Sequence, residues 1–257
     1  MGDSSPASRD AIITFLDELL DAQAFDDYGP NGLQVPGAEE VAGVVTGVSA
    51  SLELFEAAVA SGAGLVLCHH GLFWGAKQTG IDPVLKQRLK ALFDADVSLA
   101  AYHLPLDAHP EVGNNALICG ALGFEPSEPI GSHGGRAIGR VGRTAQAVPI
   151  AELGDRCRAA FGREPLVFAE GPGSVGSIGV VSGGGASDLR EAAAMGLDAF
   201  LTGEPAEPSM AEARETQVNF LACGHYATER FGVRKLGEIL EERFDLEHRF
   251  VEITNPA

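Results

Sequence analysis

Hydrophobic residues follow two spacings along this chain, and the two spacings alternate. A period of three to four residues, typical of a helix that packs on one face, predicts helices at 8–20, 51–61 and 82–94. Short runs of consecutive apolar residues predict buried strands at 41–48 and 63–68. Helices that alternate with buried strands favour an α/β fold with mainly parallel sheets.

A strand–helix–strand pattern occurs twice in the sequence. The segment GVVTGVSASLELFEAAVASGAGLVLCHH at 43–70 resembles GVVSGGGASDLREAAAMGLDAFLTGE at 179–204. Each contains an apolar strand, a Gly/Ser turn, an Ala-rich helix and a second strand. A duplicated lobe explains the similarity, and independent αβ units with shared patterning are the alternative explanation.

Between the two copies lies a segment rich in Pro, Gly and Ser at 126–137, which is the best candidate for a domain boundary. We therefore predict two related α/β lobes, one at 1–128 and one at 129–257, with a metal site between them. The C-terminal segment, about 222–257, could pack with the first lobe.

Acidic residues outnumber basic residues in this chain. Asp and Glu total 36 while Lys and Arg total 18, which gives a formal net charge of −18. Such a surface repels phosphate backbones, which argues against nucleic acid as a partner. Abundant acidic residues with few lysines are typical of halophilic, salt-accumulating organisms, and an ordinary acidic cytosolic protein is the alternative.

The apolar runs and the cysteines restrict the class of protein further. No apolar run reaches the length of a membrane span, and residues 1–8 lack the pattern of a signal peptide. We therefore predict a cytoplasmic protein with no membrane partner. The four cysteines lie far apart without a CxxC pair, which argues against a disulfide framework or a zinc ribbon.

Candidate metal ligands follow the predicted strands, and the carboxyl ends of parallel strands are where α/β proteins bind ligands. His69 and His70 end the apolar run LVLCHH. Adjacent side chains on an extended chain point to opposite sides, so this pair suits two different metal ions. Asp107 follows the next apolar run and has two oxygens with which to bridge two cations. His103 is either a further ligand or a donor that orients the carboxylate, and Pro105 predicts a loop here.

The second half of the chain offers a similar set of side chains. His225 and Glu229 stand four residues apart at the start of a predicted helix, at 227–242, so both can reach one ion. Glu204 is a further candidate, as a base or as an outer carboxylate. Mixed imidazole and carboxylate ligands suit zinc, manganese, iron or cobalt. Two such ions held about 3.5–4 Å apart generally serve hydrolysis.

Four blocks of sequence resemble the signature blocks of the NGG-interacting-factor-three-like family, whose members are often labelled GTP cyclohydrolase I type 2 homologues. The blocks are YGPNGLQV (28–35), LVLCHHGLFW (65–74), AYHLPLDAHPEVGNN (101–115) and GHYATERFGV (224–233). They span nearly the whole chain, which makes the resemblance specific. One departure is the apolar pair Leu104 and Pro105, where family members often have a small polar residue.

The resemblance implies a two-lobed α/β fold, a ring-shaped homohexamer and a dinuclear centre. The family's ligands fall on the five residues that the strand-end argument indicates: His69, His70, Asp107, His225 and Glu229.

From these features we predict two divalent metal ions and a metal-dependent hydrolase that acts on a nucleotide-like or phosphorylated small molecule. Ring opening of GTP is the activity that the family label suggests, with Glu229 and Asp107 as the candidate catalytic residues. The physiological substrate stays unknown at this point. A non-catalytic metal-binding scaffold, a regulatory interaction protein and a metal chaperone are the alternatives.

Overall fold

The computed structural model describes residues 6–75 and 80–257. Within these residues the strands are β1 (Ala7–Ser8), β2 (Gly32–Val35), β3 (Glu40–Val41), β4 (Gly43–Ser49), β5 (Leu65–His70), β6 (Ser98–Ala101), β7 (Glu125–His133), β8 (Arg136–Pro149), β9 (Leu166–Phe168), β10 (Ser174–Val181), β11 (Ala199–Thr202), β12 (Asn219–Ala222) and β13 (Glu247–Phe250). The α-helices are α1 (Arg9–Leu20), α2 (Leu52–Ser61), α3 (Pro83–Asp94), α4 (Leu104–Ala108), α5 (Asn114–Ala121), α6 (Ile150–Phe161), α7 (Leu189–Ala194), α8 (Ser209–Thr216), α9 (His225–Thr228) and α10 (Arg230–Phe244). None of the helices in these ranges is long and apolar enough to cross a membrane.

The chain divides into two compact units. The first consists of Met1–Leu106 and Gly232–Thr254, and the second of Asp107–Phe231 and Asn255–Ala257. The chain thus changes unit after residues 106 and 231, rather than after residue 128 as the sequence suggested. The reason is local: α5 packs on β7 and β8, so the residues just before 128 belong with the strands that follow.

The first unit has a five-stranded sheet in the order β13-β4-β5-β6-β2. The first four of these strands run parallel and β2 is antiparallel to β6. The helix α2 begins after Ser51, whose hydroxyl caps it by accepting a hydrogen bond from the Leu54 N–H. It ends at Gly62, which has φ 76°. Leu54 and Phe55 of α2 are fully buried in the apolar core of this unit, together with Leu99 of β6.

The second unit has a six-stranded sheet in the order β7-β8-β10-β11-β12-β9. Its central strands β10, β11 and β12 are parallel, whereas β7, β8 and β9 add antiparallel pairings. Ile178, Leu201 and Leu221 of the central strands are fully buried and share a core with Leu153 of α6. Both units therefore contain the parallel strand–helix–strand pattern that the sequence repeat predicted.

The segment 126–137 is a β-hairpin and not the linker that its composition suggested. It forms most of β7, the turn and the start of β8, which pair antiparallel. Gly134 and Gly135 supply the positive φ angles, 58° and 81°, that a tight hairpin turn requires. The Pro, Gly and Ser content of this segment therefore indicated irregular backbone correctly only at the hairpin turn.

Two predictions of helical boundaries were also wrong near the candidate ligands. Leu104–Ala108 is a short helix and not a loop, because Pro105 lies in its first turn, where proline costs no hydrogen bond. The helix predicted from residue 227 is in fact two helices, α9 and α10, which are interrupted at Glu229. Both corrections concern segments that carry candidate ligands.

Candidate functional site

His69 and His70 are the last two residues of β5, at the carboxyl end of a strand that is otherwise fully buried. His69 has no exposed surface, and its Nδ1 lies 3.0 Å from the Tyr102 carbonyl oxygen. Because a carbonyl only accepts, Nδ1 carries the proton and donates it, which puts the lone pair of the neutral ring on Nε2. His70 is partly exposed, and its Nδ1 lies 3.2 Å from the Ser49 hydroxyl.

His103 is held in place by the loop that precedes β2. Its Nδ1 lies 2.7 Å from Asp27 Oδ1, and its backbone N–H donates to Asn31 Oδ1 at 2.8 Å. The other oxygen of Asp27 accepts hydrogen bonds from Leu104 N–H and from the Asn31 side chain. Burial by itself raises the pKa of Asp27, but the hydrogen bonds and the charge of His103 bring the pKa below its ordinary value.

These three imidazoles form one cluster, the histidine group (His69, His70 and His103). The ring centroids of His69 and His70 are 4.8 Å apart, and those of His69 and His103 are 5.0 Å apart. One ligand nitrogen from each ring lies within 4.8 Å of the others, so the three rings could hold a single metal ion. An all-imidazole set fits zinc, iron, cobalt or manganese better than calcium.

The second unit carries the remaining candidates, which we call the carboxylate group (Asp107, Glu204, His225 and Glu229). His225 Nε2 lies 3.1 Å from Glu229 Oε1, and His225 Nδ1 lies 3.2 Å from Glu204 Oε1. The hydrogen bond from His225 to Glu229, with a smaller contribution from Glu204, raises the pKa of His225 to about 9 in the metal-free protein. The sequence spacing therefore predicted the contact between His225 and Glu229 correctly, although a helix break lies at Glu229.

A glycine allows this close approach of Glu229. Gly183 follows β10 with φ 63°, and a Cβ there would lie 2.2 Å from Glu229 Oε1 and 3.1 Å from His225 Nε2. A side chain at this position would therefore displace the carboxylate. The Gly183 N–H donates to Thr228 Oγ1 at 3.0 Å, which joins the turn to the residue just before Glu229.

Asp107 lies against the same turn, at Ser182, which is the residue before Gly183. Its Oδ1 accepts a hydrogen bond from Asn114 Nδ2 at 2.8 Å and another from the Ser182 hydroxyl at 3.0 Å. The Ser182 N–H in turn donates to Asn115 Oδ1 at 2.7 Å. Asp107 is 5% exposed, so these donors fix its orientation in a nearly buried setting.

The structure thus assigns a place to every residue that the sequence singled out. His103 joins His69 and His70, Glu204 joins His225 and Glu229, and Asp107 lies beside Ser182. Sequence reasoning missed the contacts of Asp27, Asn31, Ser182 and Gly183, and also that of Asn114, whose side chain donates to Asp107. Asn31 lies within the block YGPNGLQV, which was the one available signal.

Comparison with known proteins agrees with the family resemblance of the four sequence blocks. Residues 7–256 match the family model described as Duf34/NIF3 (NGG1p interacting factor 3). A Pseudomonas aeruginosa protein named GTP cyclohydrolase 1 type 2 homolog is 44% identical over 246 residues, which cover 96% of this chain and 97% of that protein.

Solved structures show the same likeness. Protein ybgI, described as a structural genomics protein of unknown function, superimposes with a TM-score of 0.92 at 42% identity, over 98% of this chain and all of that one. The protein TTHA1606 from Thermus thermophilus superimposes with a TM-score of 0.88 at 35% identity, again over 98% of this chain and all of that one.

Proposed function

Since the chain belongs to the Duf34/NIF3 family, we propose that it is a metal-dependent hydrolase that holds two divalent ions through His69, His70, Asp107, His225 and Glu229. The observation that carries the proposal is the histidine group, in which three ligand nitrogens lie within 4.8 Å of one another. Such convergence of three imidazoles at a strand end suits metal binding better than a structural role.

The carboxylate group supports the same proposal through its charge. Three imidazoles add no negative charge when neutral, whereas Asp107, Glu204 and Glu229 can offset the charge of divalent cations. Glu229 is 3% exposed, and a carboxylate so deeply buried needs a cationic partner. His225 serves as that partner in the metal-free protein, and a metal ion is the partner we propose for the loaded one.

A pair of divalent ions in such a site supplies Lewis acidity, which makes water a better nucleophile and stabilises negative charge on oxygen. The protein's own residues would then orient the reaction. Asp107, fixed by Asn114 and Ser182, and Glu229, fixed against Gly183, are the residues that we propose to position the attacking water. The ring of His103 is fixed through Nδ1 by Asp27, so its Nε2 is the atom that can either bind a metal ion or accept a proton.

We propose a nucleotide-like or phosphorylated small molecule as the substrate. The names of several relatives, among them the Pseudomonas aeruginosa protein, make GTP the first compound to test. Turnover should be measured on GTP and on a panel of nucleotides and phosphoesters, before and after removal of metal. Turnover that needs metal and is abolished in Glu229→Ala supports hydrolysis, and undiminished turnover in that variant contradicts it.

The metal proposal itself is tested by elemental analysis after dialysis. We expect close to two divalent ions per chain in the wild type, and clearly fewer in His70→Ala and in Glu229→Ala. His133→Ala is the matched control, because His133 bonds to Asp188 and lies outside both groups. Dialysis should be in high salt, which screens the repulsion that a net charge of −18 produces. No retained metal in the wild type would contradict the proposal.

A second candidate is an interaction protein without turnover, and α3 is the observation that favours it. Leu92 is the buried residue of this helix, while Val84 and Phe93 are 56% and 60% exposed. Ile81, just before the helix, is 67% exposed, and both Ile81 and Phe93 line an apolar groove of about 360 Å³. The predicted homohexamer is a related expectation, which light scattering of the purified protein would check.

A further inference from the structure

Two exposed aromatic rings lie beside the histidine group. Trp74 is 44% exposed and Tyr28 is 58% exposed, although both are large rings that proteins usually cover. The Trp74 centroid lies 5.2 Å from that of His103 and 5.5 Å from that of His70. The Tyr28 centroid lies 5.9 Å from that of His103. The exposed aromatic surface therefore adjoins the proposed metal ligands directly.

The indole of Trp74 is fixed in orientation. Its Nε1–H donates to the Gly71 carbonyl at 2.9 Å, which satisfies the one polar atom of the ring within the protein. Its plane makes angles of 82° and 66° with the rings of His103 and His70, so neither imidazole is stacked parallel on a face of the indole. A ring held in this way can offer a face to a ligand at little cost in side-chain entropy.

The backbone segments that carry the two rings are joined to each other. The Gly75 N–H donates to the Tyr28 carbonyl at 2.6 Å. At Gly29 the backbones approach so closely that a Cβ would lie 2.3 Å from the Phe73 carbonyl oxygen. The backbone that carries Tyr28 is thereby fixed relative to the backbone that carries Trp74, which a shared binding surface requires.

From this arrangement we propose that Tyr28 and Trp74 bind a planar heteroaromatic ring of the substrate by stacking, and so place that ring beside the histidine group. The inference rests on the proposed function, because it assumes that the histidine group is the reactive centre. It goes further by naming a substrate class and two residues that determine specificity. Stacking suits such rings because each has a π face, and it is worth about 1–3 kcal/mol per base, or about 5-fold to 150-fold in affinity.

The chain provides its own reporter, since Trp74 is the single tryptophan in the sequence. Guanosine triphosphate and inorganic triphosphate form a matched pair of probes that differ by the nucleoside. We expect guanosine triphosphate to change the Trp74 fluorescence in a saturable way, and inorganic triphosphate to leave it unchanged. Equal responses to the two probes would overturn the proposal.

Variants then separate stacking from other roles, with affinity for guanosine triphosphate measured by calorimetry. Trp74→Leu and Tyr28→Leu should each lower it by about tenfold, whereas Trp74→Phe should keep most of it because a ring remains. Phe93→Leu is the control, an exposed aromatic residue outside the histidine group, and should change nothing.

Metal content distinguishes failure of this inference from failure of the proposed function. Trp74→Leu should retain metal at the wild-type level, since the indole is not a ligand. Unchanged affinity in both leucine variants would overturn the stacking proposal while leaving the metal proposal intact. If affinity is unchanged in Trp74→Leu but the mass of the assembly in solution falls, the stacking proposal is likewise overturned. Trp74 would then be part of an interface between copies of this chain.

Discussion

The histidine group and the carboxylate group are built in different ways. The histidine group lies at the end of β5, where two candidate ligands are consecutive residues of a regular strand and the third imidazole is held by Asp27. The members of the carboxylate group do not lie on a single strand. Its members lie on α4, after β11, and around the break between α9 and α10, and Gly183 and Ser182 contact Glu229 and Asp107.

The difference shows two ways of placing a candidate ligand. In the first unit, β-sheet pairing fixes the backbone, and one hydrogen bond per ring then sets the orientation of His69 and His103. In the second unit, close packing of side chains on a turn sets the geometry, so that absence of a Cβ at Gly183 matters as much as any donor. We therefore expect the carboxylate group to be more sensitive to small changes in side-chain volume.

The largest effect should follow from Gly183→Ala. The substitution forces a Cβ to within 2.2 Å of Glu229 Oε1 at φ 63°, so it adds both backbone strain and a steric clash. We expect a loss of about 2–5 kcal/mol in the free energy of unfolding, measured with urea, together with loss of metal. Gly196→Ala is the control, because Gly196 has φ 70° with no heavy atom within 4 Å of its Cβ position, and should cost about 1–2 kcal/mol. Equal losses in the two variants would contradict the steric argument.

Asp27→Ala tests the corresponding support in the first unit. It removes the carboxylate that accepts hydrogen bonds from the His103 ring and from the Leu104 N–H. These two largely buried donors then lose Asp27 as their acceptor. We expect a loss of about 2–3 kcal/mol in the free energy of unfolding. The neighbouring Asp26 is exposed, so Asp26→Ala should change stability by less than about 0.5 kcal/mol. If both substitutions cost the same, Asp27 has no special part in holding His103.

Ser182→Ala is a smaller change to the carboxylate group. It removes the hydroxyl that donates to Asp107 Oδ1 and keeps the backbone bond to Asn115. We expect about 1 kcal/mol of destabilisation, and about tenfold weaker metal binding in competition with a chelator. Ser187, which is exposed in the same segment, provides the control Ser187→Ala. Metal affinity that stays at the wild-type value in Ser182→Ala would show that Asn114 alone orients the carboxylate.

The smallest effect concerns His248, a histidine of the first unit outside the histidine group. Its Nε2 lies 2.8 Å from Thr46 Oγ1. Burial lowers the pKa of His248, and the charge of Arg234 lowers it further. The charges of Glu241 and Glu238 act in the opposite direction, but the net effect is a pKa below the ordinary value. The unfolded chain therefore binds the proton more readily than the folded one, so stability should fall as the pH drops below about 6.5.

His248→Gln removes this titration. Urea titrations between pH 7.5 and the acid side of about 6 should show a decline in the free energy of unfolding of the wild type that is smaller in the variant. Metal content should be the same in both proteins, in contrast to His70→Ala. A variant with the full wild-type decline would assign the titration to other groups.

How far the sequence predicts each group follows from how the group is built. Adjacent histidines at the end of an apolar run predict the histidine group, because strand periodicity and the carboxyl-end rule are local properties of the sequence. The contact of His225 with Glu229 follows from their spacing. The roles of Asp27, Ser182 and Gly183 do not, because they depend on contacts between residues 45 to 76 positions apart in the chain.

The sequence by itself therefore determined the α/β class, the alternation of strands and helices, and the identity of the candidate ligands. These depend on hydrophobic periodicity and on the chemistry of single side chains, which no fold can change. Only the tertiary structure decided that residues 126–137 form a hairpin, that Asp27 holds His103, and that Gly183 lies against Glu229. Pairing partners and close approaches are set by the packing of distant segments, and that information is spread over the whole chain.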